Sequence, residues 1–204
     1  MNFGGEGCFK IDHNNLDNRL SDKKDILFEG NHIYTQLIEQ HPEINKIQSS
    51  SINSLRIITF VQDDGTIELV SSLMRFGIGD SEVDNTTSGG MFIGIDHNTG
   101  TFKPFGLLTM QFGGDKLTHH PTSNFKFDGF KIPFYEEACQ LCIDTLKYIP
   151  ERWVGWDIAI TPEGPTIIEA NDTPSIYMSD LACGGLLKNA TVKQLLSDIR
   201  KVKF

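Results

Sequence analysis

Asp157, Glu169 and Asn171 are the residues whose types and spacing most directly suggest chemistry in this sequence. They lie in WVGWDIAITPEGPTIIEAND, residues 153–172, and offer two carboxylates and one amide oxygen. Carboxylates that face each other repel, and one must hold a proton unless a cation sits between them. Mg²⁺ takes hard oxygen ligands of this kind, drawing one or two carboxylates from the protein and completing its shell with water and phosphate. The same residues would also suit a solvated acidic hairpin edge. Arg56 and Arg75 each interrupt an otherwise apolar run. An inward-facing guanidinium is costly unless an anion meets it, and that anion is either a structural carboxylate or a bound phosphate.

The elements around these residues read clearly. Residues 156–161 and 165–171 form two short strands joined by a turn at Pro162-Glu163-Gly164. A three-residue hairpin loop ending in glycine then sets Asp157 opposite Glu169, with Asn171 two residues on along the same face. Residues 55–61, LRIITFV, are dense in β-branched and aromatic types, and Asp63-Asp64-Gly65 turns them back into a second strand over 66–76. Residues 91–96 and 101–108 make a further hairpin, and amphipathic helices are predicted over 134–148 and 191–201. Strands are also expected at 26–28 and 33–38, and a loop at 173–185. Between 77 and 94 lies a long polar loop holding Asp84, Asn85 and Ser88-Gly89-Gly90, composed like a lid or a ligand-shaped loop. Gly4, Gly5 and Gly7 form a glycine turn, which suits either a plain hairpin or a backbone cradle for phosphate. His119 and His120 read as exposed loop histidines.

The 204 residues suffice for an ample core, and 39% hydrophobic with 22% charged residues is ordinary for a globular chain. A net charge of -9 argues against nucleic acid or an anionic membrane surface as partner. No run approaches the roughly 18 apolar residues of a membrane helix, and no signal peptide opens the chain, so no membrane insertion and a cytoplasmic location are expected. Cys8, Cys139, Cys142 and Cys183 are too few for a disulfide framework. Cys139-x-x-Cys142 has no second pair to complete a zinc set and reads as small residues buried on a helix.

Taken together, the glycine turn, S-x-N-S-L-R-I, V-D-N-T-T-S-G-G and G-W-D-I-A-I…I-I-E-A-N resemble the ATP-grasp superfamily. More narrowly, they are similar to its sugar-transfer-associated branch, found with capsule and exopolysaccharide genes. The likeness runs from about Gly4 to the C-terminus and is most specific at Asp157…Glu169-x-Asn171. It implies an α+β fold: the ATP-grasp catalytic core, a mainly antiparallel sheet with flanking helices, over residues 49–204. Residues 1–48 would form part of the small nucleotide-lid subdomain and the hinge.

By position, the resemblance assigns Asp157, Glu169 and Asn171 to one or two Mg²⁺ ions, or Mn²⁺, bridging the phosphates of ATP. It brings Arg56 and Arg75 to the phosphate, acyl-phosphate or carboxylate groups, with Asn85 shaping the same pocket. Gly4, Gly5 and Gly7 would belong to the phosphate flap, Gln36, Leu37 and Ile38 would meet adenine, and Gln40 and His41 would lie near the ribose. The implied activity is an ATP- and Mg²⁺-dependent carboxylate–amine or similar ligase working through an acyl phosphate. Its substrates would be a small-molecule carboxylate and an amine or sugar-linked nucleophile. The family's N-terminal domain and the phosphate-binding lysine ahead of the glycine turn have no counterpart here, so a truncated relative is expected. Two alternatives stand beside the ligase. One is a remnant that binds nucleotide or a partner without turnover. The other is a glycosidase using Asp157 and Glu169, which needs their carboxyl groups roughly 5–9 Å apart across an open cleft.

Overall fold

The run LRIITFV forms the strand β1 (Leu55–Val61), paired on both sides and therefore central in a seven-stranded sheet. Its neighbours are β2 (Ile67–Phe76) and β6 (Trp153–Thr161). Beyond β2 lie β3 (Met91–Asp96), β4 (Thr101–Leu108) and the two-residue β5 (Lys116–Leu117), and beyond β6 lies β7 (Gly164–Asn171). The order is β5-β4-β3-β2-β1-β6-β7, and every neighbouring pair is antiparallel. This computed structural model describes residues 10–201 apart from 13, 26–32 and 34, and only the backbone of 199–201. The glycine turn at 4–7 and the strand expected at 26–28 lie outside the described residues.

Helices cover both faces of the sheet, giving the α+β architecture expected. On one face, Leu55, Ile57, Met74, Phe76 and Trp156 pack against α3 (Tyr135–Leu146), through Ala138, Cys142 and Leu146. Cys139 and Cys142 are buried here, and burial pushes both thiols up. α1 (Leu16–Asp22) and α2 (Pro42–Asn45) precede the sheet. On the other face, Ile58, Phe60 and Val70 meet Leu186 and Val192, and Leu73 and Phe92 meet Met178 and Ala182. Those partners come from α4 (Tyr177–Cys183), the short turn 186–188 and α5 (Ala190–Lys201). β1 is apolar on both faces because both are covered.

Of the three register shifts in the sheet, those of the β1–β2 and β6–β7 pairs set the side chains around the site. Ile58 pairs with Ser71 and Thr59 with Leu69, so Val70 is the extra residue and turns toward α5 while Leu69 turns toward α3. In the β6–β7 hairpin, Thr161 pairs with Gly164 across a two-residue loop, not the three-residue loop expected. That register alone would set Ile168 opposite Asp157. Ile158 pairs with Ile167 and Asp157 with Glu169, so Ile168 is bulged and Glu169 takes the place opposite Asp157. The expected partnership holds by a different route.

Other expectations are corrected. Residues 35–40 form no strand; instead Gln40 is buried, with its amide joined to Asn45, Gln48 and Asn53. The expected loop at 173–185 contains α4, whose Met178 and Ala182, one turn apart, form a buried face too short to show as a periodic pattern. His119 is exposed, but His120 is only 1% exposed. Its Nδ1 accepts the N–H groups of Thr122 and Ser123 at 3.3 and 3.4 Å, which leaves Nε2–H to donate to Gly77 O at 2.9 Å. Burial pushes its pKa below 6.5, against the opposing pull of the Gly77 bond.

A Cβ on Gly94 would lie 2.4 Å from the Ala182 carbonyl oxygen, so α4 rests directly on β3 at that point. Gly94→Ala is expected to lower stability by about 1–3 kcal/mol in urea denaturation. Gly106→Ala is expected to cost less, because the added methyl meets the end of the flexible Met91 side chain, not backbone, at its closest contact. The lowered pKa of His120 makes its contribution complete above pH 6.5 and lost as pH falls from there through the folded-state value. His120→Gln should flatten that part of the stability–pH curve; an unchanged curve would rule out a buried neutral imidazole.

Candidate functional site

β1 carries Ser54, at its entrance, and Arg56 on the face that α4 and α5 cover. Arg56 pairs directly with Asp157 of β6, and Arg75 N–H bonds Ser54 O, which brings Arg75 diagonally beside Arg56. All three charged groups therefore project from adjacent strands into one small space. Arg56 grips Asp157 with both arms: Nε donates to Oδ1, and Nη2 to Oδ2 at 2.9 Å. Arg75 Nη2 donates to the same Oδ2 at 2.8 Å. Arg56 is 7% exposed and Asp157 3%.

A second carboxylate holds the other side of Arg75. Its Nε and Nη2 donate to Ser54 Oγ at 2.9 and 2.6 Å, and its Nε lies 3.5 Å from Asp84. Asp84 Oδ2 in turn accepts the Ser54 N–H at 2.7 Å and its hydroxyl at 2.5 Å. Burial by itself would raise the pKa of Asp157, but the Arg56 hydrogen bonds and the charges of Arg75 and Arg56 outweigh it and hold the carboxyl below the ordinary range. Burial opposes the charge on Arg75, while Asp84 and Asp157 overcome it and hold the guanidinium protonated.

Glu169 and Asn171 complete the cluster. Glu169 is the cross-strand partner of Asp157, and Asn171 Nδ2 donates to Glu169 Oε1 at 3.1 Å. Glu169 is exposed, and Asn171 Oδ1 has no hydrogen bond among the described residues. The structure thus gathers Asp157, Glu169, Asn171, Arg56 and Arg75. Asn85 stays apart: its Oδ1 accepts the Thr87 N–H and hydroxyl and caps the turn 86–88. The neighbour that joins Arg75 is Asp84, which sequence reasoning named only as part of the polar loop, as it had Ser54 only within S-x-N-S-L-R-I. For Ser54 there was a signal, since it alternates with Arg56 and must share its face. Asp84 gave no local signal, because only the fold brings its loop to the entrance of β1.

Leu37 and Ile38 line a cleft of about 410 Å³ with Lys10, Ser50, Ile52 and Val83; Gln36 does not line it. The cleft adjoins the charged cluster along the chain, Val83 preceding Asp84. Gln40 also lines it, with its amide engaged in the buried network described above, and His41 Nδ1 caps α2 by accepting the Glu43 N–H.

Glu169, Asn171 Oδ1 and Asp157 present hard oxygens suited to a divalent cation. A carboxylate offers about four acceptor sites, and arginine N–H groups fill three on Asp157, so about one remains there. Asp84, Asp157 and Glu169 against two guanidiniums leave the cluster one negative charge. The donor set therefore fits a cation seated mainly on Glu169 and Asn171. Among the described residues no three His, Cys, Asp or Glu side chains converge to hold a metal, since the third oxygen here is an amide's. Asp157 is 3% exposed and bound by two arginines, which does not suit the free carboxylate that the glycosidase alternative needs.

Asp157→Asn leaves Arg56 buried and short of a counter-charge and is expected to cost about 3–5 kcal/mol at pH 7 in denaturant unfolding. A depressed carboxyl contributes stability above its unfolded value of 3.8 that is lost as pH falls through the folded value. The gap between wild type and Asp157→Asn should therefore narrow below pH 3.8. A gap constant with pH would show that the charge of Asp157 does not stabilise the fold.

Two comparisons bear on kinship. No curated protein matches the chain. The family described as sugar-transfer associated ATP-grasp matches residues 19–194, a span that takes in the whole sheet and every member of the charged cluster. That match covers most of the 204 residues and agrees with the antiparallel sheet and its flanking helices. The chain belongs to the sugar-transfer associated ATP-grasp family.

Proposed function

We propose that this chain is an ATP- and Mg²⁺-dependent ligase that activates a carboxylate as an acyl phosphate and transfers the acyl group to an amine or sugar-linked nucleophile, in capsule or exopolysaccharide assembly. ATP-grasp proteins are generally ATP-dependent ligases that bind ATP with Mg²⁺. The observation that carries the reading is the meeting of the buried Arg56 and the partly buried Arg75 with Asp157, Glu169 and Asn171 on one sheet face.

Phosphoryl transfer demands positioning and charge neutralisation more than a protein nucleophile. Glu169 and Asn171, helped by Asp157, would hold Mg²⁺ or Mn²⁺, which when bound neutralises charge developing on phosphate oxygens. Arg56 and Arg75 offer planar forks matched to phosphate or carboxylate. Leu37 and Ile38 supply apolar cleft wall for adenine, with Gln36 outside it. Use of ATP suits a cytoplasmic location, and among the described residues no helix is long and apolar enough to cross a membrane.

One observation favours a second reading, nucleotide or partner binding without turnover: both arginines are already engaged with Asp157. ADP release separates the two. With Mg²⁺, ATP and a panel of sugar acids and amino acids plus an amine, ADP should appear only with the right acid. Glu169→Gln removes an exposed carboxylate without unpairing an arginine, and it should weaken Mg²⁺-dependent nucleotide binding at least about tenfold. Nucleotide binding without ADP release across the panel would select the second reading, and unaltered binding in Glu169→Gln would remove Glu169 from the cation site.

A further inference from the structure

We infer that the two arginines have different tasks: Arg56 leaves Asp157 for the incoming phosphate, whereas Asp84 is a positioning residue that keeps Arg75 in place. The inference rests on the nucleotide reading above and assigns roles within its site. It comes from an asymmetry in partners. Among the described residues, both hydrogen bonds of Arg56 go to Asp157. Arg75 shares itself between Asp157 on one side and Ser54 with Asp84 on the other.

A cation that draws on the oxygens of Asp157 therefore competes with everything that holds Arg56. For Arg75 it competes with only part of the grip. Ser54 Oγ still accepts from Nε and Nη2, and Asp84 still fixes Ser54 through its N–H and its hydroxyl. Asp84 is itself well anchored. The preceding residue Val83 bridges to Ile52, and a Cβ on Gly90 would lie within 3 Å of the Asp84, Asn85 and Phe76 carbonyl oxygens. The segment thus closes tightly on the end of β2.

Charge then fixes the order of events. Arg56 is buried, and a guanidinium stripped of its carboxylate is unstable until another anion arrives. Mg²⁺ alone brings no anion, so it leaves Arg56 on Asp157. Mg²⁺ with a triphosphate brings both the competitor and the new partner. Cation and nucleotide should consequently bind together, with Arg56 as the group that couples them.

The arginine Nε–Hε signals in ¹⁵N NMR read this directly on the full chain. Mg²⁺ alone should leave the Arg56 and Arg75 signals in place. Mg²⁺ with the non-hydrolysable analogue adenylyl imidodiphosphate should shift the Arg56 signal and leave Arg75 nearly unmoved. In Asp84→Asn the Arg75 signal should move as well, with binding of the Mg²⁺–analogue pair weakened about tenfold or more and partly restored in Asp84→Glu. Binding to wild type with Arg56 unmoved, or with Arg75 moving alongside it, overturns the division of tasks and leaves the nucleotide reading intact. If wild type fails to bind the pair, both fall. The wild-type spectra decide the matter even where Asp84→Asn does not fold.

Discussion

The buried pairing of Arg56 with Asp157 across β1 and β6 is the interaction on which the rest of this sheet depends. β1 is apolar on both faces, so hydrophobic pattern alone distinguishes poorly between one register and the next. A one-residue slip would carry Arg56 into the packed face of α3, where Trp156 and Ile57 leave no counter-charge. Buried ion pairs often contribute little net stability beyond an apolar substitute, and fixing register is among their better-attested uses. Here the same pair fixes register and sets charged groups beside the β6–β7 hairpin.

The site is built by balancing charges. Two guanidiniums sit among three carboxylates in a partly dry space, so each group is held by neighbours that a ligand can also satisfy. Such a cluster is stable when empty and still able to exchange partners. The covering elements share in this arrangement: the segment after β7 crosses Gly155 so closely that a Cβ there would meet Pro174 Cβ at 2.4 Å.

Much of this was legible in the residues. The β-branched run of β1, the Asp-Asp-Gly turn into β2 and the alternation in β6 were strong local signals, and the three strands they pointed to are present. The conjunction of Asp157 and Glu169 was also read correctly, although a loop one residue shorter and a bulge at Ile168 compensate each other. What stayed hidden depends on tertiary placement. Asn85 and Asp84 are adjacent and equally polar, yet only the path of the 77–90 loop decides that one caps a turn and the other meets Arg75. His120 looked like a loop histidine because burial of a loop cannot be read from its composition. α4 is seven residues long, too short for its period to stand out.

The bulge at Ile168 also bears on how copies of this chain behave toward one another. Among the described residues β7 is an edge strand, and a regular edge offers a row of unpaired N–H and C=O groups onto which another strand can add. An extra residue in that edge breaks the spacing of the row and increases its twist. At the opposite edge β5 is only two residues long. With one rim bent and the other truncated, a sheet rich in isoleucine, leucine and phenylalanine gives neighbouring molecules little straight edge to extend, so a feature that aims Glu169 also works against edge-to-edge association.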